Sequence, residues 1–165
     1  MSGEGLKHVR LGLRKRSAAI RLKLRWDRSP WTCSAVVSRL PISGQVWHAK
    51  YANNEVYTLI PVQDERYVGE WRCLYPGHGD LMYLPIESGF FLPPGAPKMD
   101  TSKGLIDIAY FYDRGNSLAG PTGTALGNIF ATAVDVTDVE IMAKACSDVW
   151  FSGAVGEQLY LEAAD

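Results

Sequence analysis

Alternation with a period of two runs through most of this chain, and it points to a fold built on strands. In the segment 19–26, Ile20, Leu22, Leu24 and Trp26 point one way, and Ala19, Arg21, Lys23 and Arg25 point the other. Such a segment is a strand with one face solvated and the other buried. The same signal predicts strands at His8–Leu13, 46–51, 55–60, 81–86, 105–112, 129–136 and 158–161, eight in all. Arg16-Ser17 and Ala52-Asn53-Asn54 are read as turns, the second because asparagine tolerates left-handed backbone. A Gly-rich connector is expected over 115–127, and irregular chain over 61–79 and 87–103.

Two helices interrupt the strands. Ser29-Pro30 opens the first, with Ser29 as the cap and Pro30 where the missing N–H costs nothing. Cys33, Val36, Val37 and Leu40 follow at helical spacing until Pro41 ends the run. The second begins at Thr137-Asp138-Val139-Glu140, which reads as a capping box. Its apolar face is Val139, Met142, Ala143, Cys146, Val149 and Trp150, and Gly153 closes it. Eight strands and two helices predict a mainly β fold, a closed or nearly closed barrel plugged by helices.

With 165 residues, 47% of them hydrophobic, the chain has the apolar content of one folded domain spanning 1–165, residues 1–18 being a basic arm and first strand. Net charge is −1, but residues 1–28 carry nine basic groups against two acidic, leaving the rest at −8. Alternation explains the basic stretch as a solvated strand face, and no aromatic-interleaved motif joins it, so no nucleic-acid partner is expected. No run approaches a membrane span and no signal-peptide core follows the basic start. Three cysteines, at 33, 73 and 146, have no metal spacing and are read as free thiols. The expectation is a cytoplasmic protein with no membrane partner and no metal.

Several segments carry a family resemblance. The stretch 24–37, Leu-Arg-Trp-Asp-Arg-Ser-Pro-Trp-Thr-Cys-Ser-Ala-Val-Val, resembles the strand-to-helix passage of cyclophilins. Residues 46–57 (Val-Trp-His-Ala-Lys-Tyr-Ala-Asn-Asn-Glu-Val-Tyr), 75–83 (Tyr-Pro-Gly-His-Gly-Asp-Leu-Met-Tyr) and 127–132 (Gly-Asn-Ile-Phe-Ala-Thr) resemble the cyclophilin-like family that includes cucumopine synthase. The Pictet–Spenglerase of the streptonigrin pathway is similar in size and type. The likeness covers most of residues 20–162. It implies a closed cyclophilin-like barrel and a cofactor-free condensation of an aromatic amino acid or its amine with an aldehyde or keto acid. The Arg, Phe and Gln run that opens the proline groove of cyclophilins is not found, which places prolyl isomerase activity last. A binding module for a small molecule or peptide on the same barrel is the alternative to an enzyme.

Such a condensation needs an imine, a proton on it, an attacking aromatic carbon and a base for the ring proton. Glu55 is a candidate base because it shares a strand face with Tyr57; the plain alternative is a solvated turn carboxylate. His48 can shuttle a proton or be a hydrogen-bonded core histidine. Asp107 sits in a strand apolar on both faces, so it either points into a polar barrel mouth or is solvated, the latter being the default. Arg114 is a candidate for holding a substrate carboxylate. Tyr57, Tyr83, Tyr110, Trp71 and Phe90 are candidate pocket walls that can face a cation with π density, although such rings also fill cores. Glu70 and Glu87 are spare acids for the same pocket. The exposed aromatics at 90–92 mark a possible homodimer contact.

Overall fold

A computed structural model describes residues 5–89, 92 and 94–165. The elements, in chain order, are β1 (His8–Leu13), β2 (Ala18–Leu24), α1 (Pro30–Val37), β3 (Ile42–Gln45), β4 (Trp47–His48), β5 (Glu55–Pro61), β6 (Arg72–Cys73), β7 (Asp80–Ile86), β8 (Leu105–Phe111), β9 (Ala119–Gly120), β10 (Gly123–Thr124), β11 (Gly127–Ala133), α2 (Val136–Ser152) and β12 (Gln158–Ala163). The fold is mainly β, dominated by one large antiparallel sheet with two helices. Phe90 and Phe91, and with them most of the suggested dimer contact, lie outside the described residues.

The sheet runs β3-β12-β1-β2-β11-β7-β8-β5-β4, with β6 paired to β11 and β9 and β10 forming a separate small hairpin. This is an open path: among the described residues no ladder joins its two ends, whereas a closed barrel was expected. The two end strands are nevertheless consecutive in the chain, separated only by Val46, whose N–H donates to Glu157 O. The expected single strand at 46–51 is therefore broken. Residues 42–45 pair with β12 and residues 47–48 pair with β5, so the chain changes partner at Val46. The sheet curls enough that β3 lies against β5, where Thr58 Oγ1 donates to Gln45 O at 2.9 Å.

Curling gives the sheet two unequal faces. Even-numbered residues of β8 (Ile106, Ile108, Tyr110) join Val56, Leu81, Tyr83 and Phe130 in the main core, into which α2 inserts Val139, Met142, Cys146 and Val149. Odd-numbered residues face a second, smaller cluster of Met82, Ala109, Phe111 and Ile129, covered by Ala52, Leu74 and Leu118. A strand buried on both faces loses the polar alternation of a half-exposed one, which explains the unbroken apolar run around Asp107.

Both helix starts differ from expectation. Asp135, in extended backbone, caps α2 by accepting from Thr137 N at 2.7 Å; the helix begins one residue before Thr137. Aspartate serves because its charge also meets the positive end of the helix. At α1 the Ser29 hydroxyl donates to Ile129 O instead of capping. The helix ends at Val37, before the predicted Leu40. None of the described helices is long and apolar enough to cross a membrane.

One close approach limits the sequence. A Cβ on Gly127 would lie 2.3 Å from Met82 Sδ and 2.5 Å from its Cγ. Met82 is fully buried and has little room to yield. Gly127→Ala is expected to cost about 1–3 kcal/mol, read as a lower urea midpoint.

Candidate functional site

Glu55 and Asp107 lie on the odd-numbered face, the face that carries the smaller cluster. The antiparallel register pairs Glu55 with Phe111, Tyr57 with Ala109 and Leu59 with Asp107. Since alternate residues share a face, Glu55, Tyr57 and Asp107 form one line, with the tyrosine between the acids. Glu55 is 5% exposed and Asp107 7%. Among the described residues neither carboxyl meets a cation, and Asp107 Oδ1 is buried with no hydrogen-bond partner.

Burial without a partner disfavours the charged form. It pushes Glu55 up to about 7. Burial first, and the Glu55 charge second, push Asp107 well above the ordinary carboxyl range. Both carboxyls therefore hold their protons more tightly than exposed acids do, and the charge of one bears on the other. Burial and then both carboxyls raise the Tyr57 hydroxyl, which stays protonated. Tyr57 is half-buried and connects this line to the surface. The solvated default for Asp107 is thus corrected: its carboxyl is buried in the folded chain.

Those loops are tied by asparagines. Asn116 is buried; its side chain accepts from Asn54 N at 3.1 Å and donates to Pro76 O at 3.0 Å. Asn53, with φ at +65°, donates from Nδ2 to Gly115 O at 2.7 Å, and Asn54 Nδ2 donates to Arg114 O at 2.8 Å. The expected Asn53-Asn54 turn is present, and it also anchors the 113–116 loop beside Glu55.

The remaining residues singled out in the sequence are spread over the molecule. His48 pairs in register with Val56 and so faces the opposite side of the sheet from Glu55. Its Nδ1 bonds to Ala49 O at 2.8 Å and its Nε2 meets Tyr112 Oη at 2.7 Å. The structure does not bring His48 to the carboxyl pair. Tyr83 and Tyr110 are fully buried in the main core, Tyr83 stacking on Tyr67 with ring centroids 6.1 Å apart, so both occupy the core side of the sheet. Trp71 is exposed at the sheet margin under Arg25 and Arg28, at 4.9 and 5.7 Å. Arg114 is exposed on the loop tied to Asn54. Phe90 is outside the described residues.

Glu70 is not a spare acid. Its carboxylate accepts from Trp31 N at 2.9 Å, Thr32 N at 2.9 Å and Thr32 Oγ1 at 2.8 Å, capping α1 from a distant loop. Asn128 completes this arrangement: Nδ2 donates to Thr32 Oγ1 and Val68 O, while Oδ1 accepts from Tyr67 Oη and Glu70 N. All of its hydrogen-bonding groups are engaged in a fully buried place. Asn116 and Asn128 were missed because nothing in an isolated asparagine announces which loops it joins. Glu87, the other spare acid, is exposed.

Residues 11–161 match the sequence model of a family described as "Protein of unknown function (DUF3830)". The chain belongs to the DUF3830 family. That match includes both carboxyls of the buried pair. Among curated proteins no relative matches. A solved structure, that of McbB in complex with tryptophan, is similar in fold to this DUF3830 chain, with a TM-score of 0.62 at 13% identity. The alignment covers 94% of this chain and 44% of McbB, so the chain spans less than half the length of that neighbour.

Proposed function

We propose that this protein is a cofactor-free Pictet–Spengler-type cyclase that joins an aromatic amino acid or its amine to an aldehyde or keto acid. The observation that carries this reading is the pair of buried carboxyls on one face, with Tyr57 between them and no cation on either among the described residues. Two carboxyls raised toward neutrality can hold and release a proton within the working pH range. The rolled sheet, whose two ends meet at Val46, is read as the expected cyclophilin-like barrel with its last ladder replaced by side-chain contact. McbB, similar in fold, was solved with tryptophan, which supports an aromatic amino-acid substrate.

In this scheme Asp107 is the acid and Glu55 the base. Amine and carbonyl condense to an imine with loss of water. Asp107, held neutral by burial, gives the imine nitrogen a proton and makes its carbon electrophilic. The aromatic ring carbon attacks that carbon and forms the new C–C bond. Glu55 then takes the ring proton, which restores aromaticity. Tyr57 lies between donor and acceptor, its ring facing the cation and its hydroxyl available to both acids. Arg114, on the loop tied beside Glu55, holds the substrate carboxylate. His48 has no part in this scheme, being on the other face.

The test is a search for product. Tryptophan-like and histidine-like amines are incubated with small aldehydes and keto acids, and mass spectrometry looks for a cyclised species one water lighter than the pair. An enzyme-dependent product with at least one pair is expected. No product from any pair, with the protein folded, would leave the barrel as a binding module for a small molecule or peptide.

A further inference from the structure

A second hollow lies on the opposite side of the sheet, between the 48–54 turn, the end of β8 and the last two turns of α2. Two adjoining cavities of about 470 and 480 Å³ share Tyr112 and Phe151 in their walls. That size is within the range of small-ligand pockets. Rings dominate one wall. Trp150 is 58% exposed and Phe151 80% exposed, although both are large and apolar. The His48 ring lies 5.0 Å from the Trp150 ring and 5.8 Å from that of Tyr112.

The polar groups of this hollow fall into two sets. Those at its floor are already oriented. His48 Nδ1–H donates to Ala49 O, which leaves Nε2 to accept from the Tyr112 hydroxyl. Burial keeps the imidazole neutral, so this acceptor role is stable. The Tyr112 oxygen keeps a lone pair able to accept from a ligand N–H. At the rim Asp148 pairs with Arg16 and accepts from Ser152, while Asp113 accepts from Arg114 N and keeps its charge. Lys50 and Lys144, also in the walls, make no ion pair among the described residues.

We infer that this cleft binds a planar aromatic carboxylate, its ring against Trp150 and Phe151 and its carboxylate between Lys50 and Lys144. A flat ring covers the two exposed aromatics at low entropic cost. With Asp148 paired to Arg16, two ammonium groups face the single uncompensated carboxylate of Asp113, and the positive excess selects an anion over a cation. A ring N–H directed at Tyr112 Oη completes the recognition, so an indole acid fits better than a benzoate. The site is separate from the Glu55 and Asp107 face and does not depend on its chemistry.

The probe is indole-3-acetate, titrated into the full chain and followed by amide and indole N–H chemical shifts. Saturable shifts are expected at 144–151, including the Trp150 indole N–H, with tryptamine binding more weakly. Lys50→Ala and Lys144→Ala, both on exposed residues, are each expected to weaken binding about two- to five-fold. Trp150→Ala is expected to weaken it more than about tenfold. Equal binding of tryptamine and indole-3-acetate, or unchanged affinity in the double lysine variant, would overturn the assignment. So would shifts confined to residues outside the cleft, or a dimer in sedimentation that buries Phe151 and excludes the probe.

Discussion

On the proposed function, Glu55→Gln is expected to lower the rate of cyclisation about 10²–10⁴-fold while leaving the fold intact. Glutamine keeps the size and hydrogen-bonding capacity of the side chain and removes only its ability to take a proton. The measurement is single-turnover product formation with the best amine and carbonyl pair, alongside a circular dichroism spectrum. A rate equal to wild type would remove Glu55 from the mechanism. The same variant carries a stability signature independent of any substrate. Burial raises Glu55 from 4.5 to about 7, so the folded chain retains a proton that the unfolded chain releases. The folded state therefore loses stability from this group as pH rises from about 4.5 toward 7, and the full penalty of about 3 kcal/mol is present above that window. Asp107 moves in the same direction. Relative to wild type, Glu55→Gln should therefore be more stable at pH 8 than at pH 4.5, by about 3 kcal/mol, or roughly 6–12 °C in Tm for a chain of this size. Asp27, pulled down to about 2 by Arg25, acts in a more acidic window and is common to both proteins.

Glu157→Ala is expected to lower the unfolding free energy by about 3–5 kcal/mol, the cost of breaking a buried ion pair from one side. Glu157 is fully buried, yet every part of its carboxylate is answered. It accepts from Lys15 N at 2.7 Å, Arg16 N at 3.0 Å and Gln158 N at 2.9 Å, and Arg16 Nη1 donates to it at 3.1 Å. Arg16 also reaches Asp148 and Gly153 O, so one carboxylate joins the β1–β2 turn to the end of α2 and the start of β12. Alanine would strand several backbone N–H groups and a half-enclosed guanidinium. Urea unfolding at constant pH reads the loss; a change under 1 kcal/mol would show that water replaces the carboxylate at no cost. The contrast with Glu55 is instructive. Both are buried glutamates, but one is saturated with donors and serves the fold, while the other meets no cation among the described residues and is the one proposed to exchange its proton.

Much of this architecture is legible in the residues themselves. Alternation in 19–26 marks a strand because each side chain there needs a solvated or a buried side, and a pleated strand separates the two within a few residues. Val139, Met142, Cys146 and Val149 mark the inserted face of α2 for the same reason at helical period. The Asn53-Asn54 turn is equally local, since backbone at positive φ selects its residue type. Contacts between distant segments set everything else. Alternation cannot say that Asp107 is buried, because burial depends on which distant segments pack over its face, and a carboxyl's proton affinity depends on that cover. It cannot say that His48 and Glu55, seven residues apart, face opposite sides, because the break at Val46 and the register with β5 decide it. Glu70 caps a helix nearly forty residues away, and Asn128 saturates itself against two other segments, α1 at Thr32 and the 67–70 loop. Local chemistry prescribes the kind of element. Desolvation and hydrogen-bond closure, which act only once the chain is folded, determine which acids become proton carriers and which become struts.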